Sequence, residues 1–554
     1  LTPFIYFTSF TRGLSPASLV WDIPANIPPD LAGHYDENIE FHGPVSIRTA
    51  LTNDYLAPAL QTLTQVGPAN VWSTAQQSGL QSMRLPEDAD PYRMLLDKGQ
   101  VSLLETAHAY SMLGNQGVLA GQGDSQTNGG IFPPALLKVS DPSGRVWLDW
   151  STTKIKPIAN AQLAYLVTNI LADDLSRRQT LGRPNPLETG RPAAVMLGQT
   201  AGSQQTWAVG YSPQLLVGVW MGYPGAADPL ENAPKIDRSA AASLWNGIFR
   251  KAHSGLPIER FNEPVGLSHM DVCDPSGLLP TADCPQVSRE IFMPGSEPLQ
   301  ADNLYKKFLV NRQTNLLATV YTPPEYVEEQ VYLVVPPEAA EWAKAAGIKI
   351  PPDRYDAIFN PSGIDPNVNI STPEIFGYVS GKVEIRGSAQ GEDFALFRVR
   401  IGEGLNPRQW LQIGEDSTSP VSEGILGVWD TGGLNGLYAV QLVVIRQNQK
   451  IETAILQVTV DNEPPEILIS YPLEGQSLAM SENTQITIQV QAGDNLAVTR
   501  IEIYIDDMLI SSLTTPPYFA PWNGLQGEHR LRVVAYDLGG NESSSELTFS
   551  IDGQ

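Results

Sequence analysis

The stretch that decides the fold is AAVMLGQTAGSQQTWAVGYSPQLLVGVWMG, residues 193–222. It holds three short apolar runs, 193–197, 207–211 and 215–221, which are separated by Gly, polar residues and Ser-Pro. Short runs rich in Val, Trp and Tyr and interrupted by Gly and Pro predict adjacent antiparallel strands. The polar segment 199–205 lies where the first strand gives way to the second. Such a position at the edge of a buried sheet suits a binding site, although an ordinary hairpin of a central sheet has the same pattern.

Length and charge limit what the chain can be. Its 554 residues are enough for about three to five domains of about 100–200 residues each. The net charge is −25 and no basic stripe is present, so we expect no nucleic-acid partner. The sequence shows no signal peptide. It also has no apolar run of about 18 residues, which a membrane span would need. Because the sequence opens at Leu1 in the middle of an apolar segment, we expect a fragment whose missing part could carry a membrane anchor.

The two cysteines, Cys273 and Cys284, lie close together in DVCDPSGLLPTADCPQ. A close pair in a loop rich in Pro, Gly and Asp predicts a disulfide, which would stabilise the fold by about 3 kcal/mol in the chain-entropy model. Such a bond implies an oxidising compartment outside the cytoplasm. Two unpaired thiols are the alternative. A zinc site would be incomplete, because the loop between the cysteines offers no His.

Residues 207–222 resemble the region that follows the third motif of the penicillin-binding transpeptidase family, W-x-V-G-Y-x-P-x-L-x-x-G-V-W-x-G. The agreeing positions are Trp207, Val209, Gly210, Tyr211, Pro213, Leu215, Gly218, Val219, Trp220 and Gly222. The Lys-Thr-Gly that precedes them in the family reads Gln199, Thr200 and Ala201 here. The resemblance implies that this Lys binds the substrate carboxylate, and Gln199 carries no charge. Thr200 keeps its hydroxyl, and the β-carbon of Ala201 narrows the cleft.

Residues 1–12, LTPFIYFTSFTR, predict a buried helix with Pro in its first turn. They resemble the first motif of the same family, Ser-x-x-Lys-Pro-Phe-x-Tyr. The agreeing positions are Pro3, Phe4 and Tyr6. The resemblance implies that the Ser is the acyl-accepting nucleophile and that the Lys helps to move its proton. The Lys position is Thr2, which is a poor base and reads equally well as an ordinary helix-start Thr, and the Ser position falls two residues before Leu1.

Residues 41–66 have apolar side chains at helical spacing and resemble the surroundings of the second motif, F-x-G-P-V-S-x-R-x-A-L-x-x-S-x-N-x-P-A. The agreeing positions are Phe41, Gly43, Pro44, Val45, Ser46, Arg48, Ala50, Leu51, Pro58 and Ala59. Asp54 and Leu56 replace the Ser and Asn of Ser-x-Asn. In the family, that Ser passes a proton to the leaving group and that Asn holds a substrate amide. Leu56 can do neither, and Asp54 could be a base, but without Lys neighbours we expect a solvated carboxylate.

The following segments continue this scaffold up to about residue 255. We predict a helix within 95–120 that contains a packed or surface His108, a hairpin that turns at Asp141, and a helix at 158–174. The Cys-bearing stretch resembles a segment that follows the catalytic domain in some class A penicillin-binding proteins. Further on, NLLATVYTPPEYVEEQVYLVVP suggests two strands and PPEAAEWAKAAGIKIPP suggests a short helix that ends at Gly347.

The last part of the chain changes character. From residue 366 onward, alternating apolar runs are set off by turn residues, and the pattern repeats after about 90 residues. The two copies resemble bacterial immunoglobulin-like modules and predict one β-sandwich each, joined by VDNEPPEI at 460–467. Four acidic residues could include calcium ligands: Asp494, Asp506, Asp507 and Asp537. Solvated turn positions explain them more simply, so we predict no metal and no cofactor.

The predicted fold class is multidomain α+β. It comprises a penicillin-binding/β-lactamase-like transpeptidase domain, α/β/α with an antiparallel sheet, and two all-β immunoglobulin-like sandwiches. The expected domains are the transpeptidase-like domain (1–255), a disulfide-bearing segment (256–300), an accessory or linker module (301–365) and the two sandwiches (366–461 and 462–554).

The resemblance implies a protein of peptidoglycan biogenesis in the cell envelope, outside the cytoplasm. Because all three visible motifs are altered, we expect a domain that no longer acylates and that binds peptidoglycan, its stem peptides or other cell-wall synthesis proteins. A glycosyltransferase is implied only if the missing part follows the family. One alternative is an active D,D-transpeptidase that uses a Ser upstream of Leu1, with Asp54 or an outside group as base. The other is an adhesive or spacer protein that acts through its sandwiches.

Overall fold

The computed structural model describes residues 1–28, 40–82, 101–123, 130–200, 203–223, 234–356, 365–480, 485–514 and 518–553. The chain forms two compact units. The first comprises Leu1–Leu304 and Val335–Ile348, and the second comprises Tyr305–Val334 and Lys349–Gln554. The residues at 301–365 are thus divided between the units, and our domain boundaries remain a prediction. Within the described ranges, no helix combines the length and apolar character needed to cross a membrane.

The helices that the structure describes all belong to the first unit. They are α1 (Thr2–Phe10), α2 (Ile47–Asn53), α3 (Leu56–Val66), α4 (Pro68–Gln77), α5 (Leu103–Gly114), α6 (Ala161–Leu171), α7 (Arg178–Leu181), α8 (Arg238–Ala252) and α9 (Ala340–Ala345). Every residue of α1 is buried, as its apolar sequence predicts. α5 begins with a capping box between Ser102 and Glu105. The predicted helices within 95–120 and 158–174 are confirmed as α5 and α6.

The strands of the first unit are short. They are β1 (Leu19–Asp22), β2 (Gly43–Ser46), β3 (Val118–Gly123), β4 (Ile131–Phe132), β5 (Lys138–Ser140), β6 (Val146–Asp149), β7 (Lys154–Pro157), β8 (Ala194–Gln199), β9 (Gln205–Tyr211), β10 (Leu216–Gly222), β11 (Ser268–Cys273) and β12 (Val287–Phe292). β8, β9 and β10 form an antiparallel sheet in which β9 is central, as predicted. The hairpin that turns at Asp141 is confirmed as β5 and β6.

Alternation along β8 places helices on both faces of this sheet. Ala194 and Met196 join a core made with α1 to α6. Val195 and Leu197 point to the opposite core, where they meet the aromatic side chains of α8. Trp245 of α8 is fully buried there and donates its indole N–H to the carbonyl of Val217 at 2.9 Å. The result is the expected α/β/α arrangement.

The disulfide-bearing segment lies in the first unit. β11 and β12 pair antiparallel, and Cys273 and Cys284 are joined by a disulfide with a Cα–Cα distance of 5.7 Å. Arg48 of α2 bonds to Glu290 of β12 through two of its nitrogens, and its Nη1 lies 3.3 Å from Asp173. This ion-pair network ties the segment to the helices.

The second unit begins with a pair of strands, β13 (Tyr305–Asn311) and β14 (Val327–Leu333). The strand that we predicted in NLLATVY is wrong. That stretch makes only isolated bridges through Leu317, and the Thr319 amide then bonds to the Thr322 hydroxyl at 3.0 Å to close a turn. The short helix predicted in PPEAAEWAKAAGIKIPP is confirmed as α9.

Two sandwiches of identical strand order complete the second unit. The first contains β15 (Val368–Thr372), β16 (Tyr378–Val379), β17 (Lys382–Ala389), β18 (Phe394–Glu403), β19 (Leu411–Ser417), β20 (Val421–Asp430), β21 (Gly436–Arg446) and β22 (Ile451–Val460). The second contains β23 (Glu466–Tyr471), β24 (Gln476–Met480), β25 (Gln485–Gly493), β26 (Val498–Ile505), β27 (Met508–Leu513), β28 (Tyr518–Asn523), β29 (Gly527–Asp537) and β30 (Glu542–Gly553).

In each sandwich a three-stranded sheet faces a five-stranded one. The orders are β15-β17-β20 and β16-β22-β21-β18-β19 in the first, and β23-β25-β28 and β24-β30-β29-β26-β27 in the second. The matching orders confirm the internal repeat. Trp429 and Trp522 lie on the equivalent strands β20 and β28.

Candidate functional site

Two of the altered motif positions contact each other. Thr2 opens α1, and Asp54 ends α2 in a left-handed conformation with φ 57°. The Thr2 hydroxyl donates a hydrogen bond of 3.2 Å to Oδ1 of Asp54. The structure therefore brings the positions that resemble the first and second motifs into contact. The contact is made by the hydroxyl of Thr2 and the carboxylate of Asp54.

Arg238 is a third member of this site, and the sequence did not predict it. Its Nη2 lies 2.8 Å from Oδ2 of Asp54 and 3.3 Å from the carbonyl oxygen of Leu197 on β8. The expectation of a solvated Asp54 is wrong, because only 22% of its side chain is exposed and a guanidinium pairs with it. Arg238 is the first residue of α8 and lies 184 positions along the chain from Asp54. Its local sequence gives no signal of the contact.

Burial dominates the electrostatics at Asp54. Removal from water raises the pKa of the Asp54 carboxyl above its ordinary value of 3.8, while the Arg238 guanidinium and the Thr2 hydroxyl act in the opposite direction. Both carboxylate oxygens already accept hydrogen bonds from these two residues. The Asp54 carboxylate is therefore fixed by hydrogen bonds from the protein to both of its oxygens.

The residues at the third motif position also form hydrogen bonds with nearby backbone groups. Gln199, at the exposed end of β8, donates from Nε2 to the carbonyl of Ile236 at 2.8 Å. The Thr200 hydroxyl accepts from the amide of Gln205 at 3.1 Å and so helps to close the turn to β9. Ala201 lies outside the described residues. Leu56 is half-buried at the start of α3 and offers no polar group.

His108 takes no part in this site. It is buried on α5, and its Nε2 lies 2.9 Å from the carbonyl oxygen of Ala120. Burial lowers the pKa of the imidazole. Of the two readings that the sequence allowed, the structure supports a packed histidine.

The acidic residues of the second sandwich divide into two places. Asp506 and Asp507 form the turn between β26 and β27, where Asp506 contacts His529 at 2.7 Å. Asp494 and Asp537 instead lie beside Asp461, a residue that the sequence analysis did not select. Its position in the proline-rich joint between the sandwiches concealed it.

The site and its scaffold define a class of protein. An α/β/α domain with an antiparallel sheet carries segments that resemble three motifs of the penicillin-binding transpeptidases with substituted residues, and two sandwiches of immunoglobulin type follow it. Two protein families match the chain. "Penicillin-binding protein 1A, C-terminal domain" matches residues 263–307, and "Bacterial Ig domain" matches residues 465–533.

Relatives match about half of the chain. "Penicillin-binding protein 1A" of Clostridium perfringens is 28% identical over 334 residues, which are 55% of this chain and 37% of that protein. "Penicillin-binding protein 1C" of Escherichia coli is 26% identical over 303 residues, which are 54% of this chain and 35% of that protein. The match thus spans little more than a third of the length of either relative.

Two solved structures are also similar in part to the structure of this chain. Penicillin-binding protein 1A from Haemophilus influenzae has 19% identity and a TM-score of 0.44, over 54% of this chain and 48% of that one. Fibronectin(III)-like modules of Clostridium thermocellum CbhA have 17% identity and a TM-score of 0.24, over 33% of this chain and 93% of that one. The chain is thus similar to penicillin-binding proteins 1A and 1C over about half of its length, and it contains a segment that matches a bacterial Ig domain.

Proposed function

We propose that this chain is a cell-envelope protein whose transpeptidase-like domain binds peptidoglycan stem peptides without acylating them. One observation carries the proposal: Asp54 is paired with Arg238 and Thr2 at the position where the family resemblance implies a proton-transferring serine. The names of its relatives support peptidoglycan as the binding partner. The disulfide supports a compartment outside the cytoplasm.

Acyl transfer needs groups that this site does not offer. A nucleophilic hydroxyl must be activated by an adjacent base, and donors must face the developing charge. Thr2 cannot serve as that base, and the oxygens of Asp54 already accept from Arg238 and from Thr2 itself. Gln199 offers a neutral amide where the resemblance implies a cation. Binding along the exposed end of β8 needs none of this chemistry.

A second candidate function is that of a transpeptidase with a rearranged site. One feature of the structure favours this candidate. Arg238 places a permanent cation against the carbonyl of Leu197, close to where the family resemblance implies a lysine. A buried carboxyl with a raised pKa, such as Asp54, can act as a general base. If this candidate holds, the double change Thr2→Lys with Gln199→Lys should increase acylation of a polypeptide that extends through the Ser position two residues before Leu1. An unchanged rate in the folded variant counts against it.

The location and assembly of the whole protein are part of the same proposal. We infer that the protein works in the cell envelope, held by a membrane anchor outside the present sequence, and that it can contact other cell-wall synthesis proteins. A glycosyltransferase domain belongs to this proposal only as far as the family resemblance implies one outside the present sequence. The sandwiches then act as spacers or as secondary contacts.

Calorimetric titration of the chain with a soluble stem peptide tests the binding proposal. We expect saturable binding that Gln199→Glu weakens, because the new charge repels the peptide carboxylate. Gln447→Glu makes the same charge change in an exposed sandwich loop and should leave binding unchanged. Absence of saturable binding in the folded chain, or equal effects of both variants, would reject a binding site at the end of β8.

A further inference from the structure

Three carboxylates converge at the joint between the two sandwiches. Asp461 directly follows β22 of the first sandwich, Asp494 follows β25 of the second, and Asp537 ends β29. One oxygen from each lies within 4.8 Å of the others. Asp461 is fully buried, and Asp537 is 5% exposed. Among the described residues, none of the three forms an ion pair with Lys or Arg.

Two of these carboxylates have an oxygen that contacts no donor within the described part of the chain. Oδ2 of Asp461 and Oδ1 of Asp494 are inaccessible to solvent and accept no hydrogen bond from a described residue. A buried unpaired carboxylate oxygen is costly unless a proton or a cation compensates it.

The remaining oxygens are already fixed in place. Oδ2 of Asp494 accepts from the amides of Leu496 and Ala497, at 2.8 and 3.0 Å. Asn541 donates to the Asp537 carboxylate from its backbone N–H and from its side-chain Nδ2, both at 2.8 Å. The same Nδ2 also lies 2.9 Å from the backbone carbonyl oxygen of Asp461. These bonds hold the side chains of Asp494 and Asp537 and the backbone of Asp461 in position without an ion.

The loop after β29 lies very close to the joint between the sandwiches. A β-carbon added at Gly539 would lie 2.7 Å from Cβ of Asp461 and 2.8 Å from its carbonyl oxygen. Only glycine permits that approach without displacing the joint. The carbonyl of Gly539 in turn accepts from the hydroxyl of Ser380 of the first sandwich at 3.0 Å. The loop that carries Asp537 is therefore fastened to both sandwiches.

We propose that Asp461, Asp494 and Asp537 bind one Ca²⁺ ion that fixes the joint between the sandwiches. Oxygen-only ligands select a hard cation, and Ca²⁺ accepts irregular sets of six to eight oxygens at about 2.3–2.6 Å. Oxygens on opposite sides of such an ion are about 5 Å apart, which fits this cluster. Water and backbone carbonyls complete the shell. The sequence prediction of no metal is replaced by this proposal.

The test is calorimetric titration of the chelator-treated full chain with calcium chloride, and with magnesium chloride in parallel. We expect one Ca²⁺ site with a Kd of about 1 mM or tighter, as in extracellular modules, and weaker Mg²⁺ binding. Asp461→Asn and Asp494→Asn should each weaken Ca²⁺ binding at least about tenfold. Asp507→Asn, at an exposed turn of the same sandwich, should bind as the original chain does. Binding that survives both cluster variants, or no Ca²⁺ binding at all, would overturn the proposal.

Thermal unfolding provides a second readout, which remains valid if Asp461→Asn fails to fold. Ca²⁺ should raise the Tm of the original chain and leave that of Asp494→Asn unchanged. Without Ca²⁺, Asp494→Asn should have the higher Tm, because it removes a repelling charge. A lower Tm for this variant without Ca²⁺, or an equal response to Ca²⁺, contradicts a cation site.

Discussion

Nη2 of Arg238 lies 2.8 Å from Oδ2 of Asp54, so the first residue of α8 reaches the end of α2. The same nitrogen lies 3.3 Å from the Leu197 carbonyl. One guanidinium thus connects a helix end, a strand edge and the carboxylate at the second motif position. This contact makes Asp54 part of the packed structure and removes it as a freely available base.

Replacing Arg238 with Gln should destabilise the first unit. The change leaves a mostly buried carboxylate without its cation, and we expect a loss of about 1–2 kcal/mol, because the pair keeps some exposure to water. The pKa of Asp54 should rise further. Denaturant unfolding and a pH series measure the two effects.

The control for Arg238 is Arg183→Gln. Arg183 lies in the same unit, with 66% of its side chain exposed and a contact of 3.9 Å to Glu188. Its loss should change the free energy of unfolding by well under about 1 kcal/mol. Equal effects of the two variants would mean that the Arg238 pair adds nothing to stability.

Asp54→Asn should change how stability depends on pH. The pKa of Asp54 is higher in the folded protein than its ordinary 3.8, so the folded state binds this proton more tightly than the unfolded chain does. Its contribution to stability is full below about pH 4 and is lost as the pH rises through the folded pKa. The Tm of the original chain should therefore fall relative to that of Asp54→Asn across this interval. A difference that stays constant with pH would show that the Asp54 pKa is the same in both states.

Arg48→Met should be more damaging than any surface change. Glu290 is 5% exposed and would keep a buried charge without its partner, at a cost of about 3–5 kcal/mol. The double variant Arg48→Met with Glu290→Leu should recover most of the loss. Arg289→Met, from an exposed pair with Asp271, is the matched control. Calorimetric unfolding distinguishes them, and a double variant no better than the single one contradicts this account.

Removing the disulfide should weaken the same segment. The bond closes a loop with a sequence separation of 11, and its loss in Cys273→Ala with Cys284→Ala should cost about 2–3 kcal/mol. Unfolding of both proteins under non-reducing conditions measures the difference. Addition of a reductant should lower the Tm of the original chain and leave the double variant unchanged. Equal sensitivity of both proteins would show that the bond does not contribute.

Local patterns were sufficient for most of the fold. The apolar runs around Gly198 predicted β8 to β10, and the alternating runs of the last part predicted the longest strands of both sandwiches. Edge strands such as β19, LQIGEDS, were missed, because their side chains are largely exposed and do not alternate. NLLATVY was taken for a strand because its apolar residues suit one, while threonine hydroxyls close a turn there.

The candidate site could be predicted only in part. The family resemblance identified Thr2, Asp54 and Gln199, but it gave no information about what contacts them. Arg238 and Asp461 became visible only when distant segments were brought together by packing. The ionisation of Asp54 depends on burial, which no local sequence pattern reports.

The central claim is that this site does not acylate. The direct measurement labels a polypeptide that extends through the position two residues before Leu1 with a fluorescent β-lactam, followed by a denaturing gel. A cooperative melt verifies that the same preparation is folded. The account predicts no covalent band. A band that disappears when the residue two positions before Leu1 is changed to alanine would contradict it and establish an acylating site.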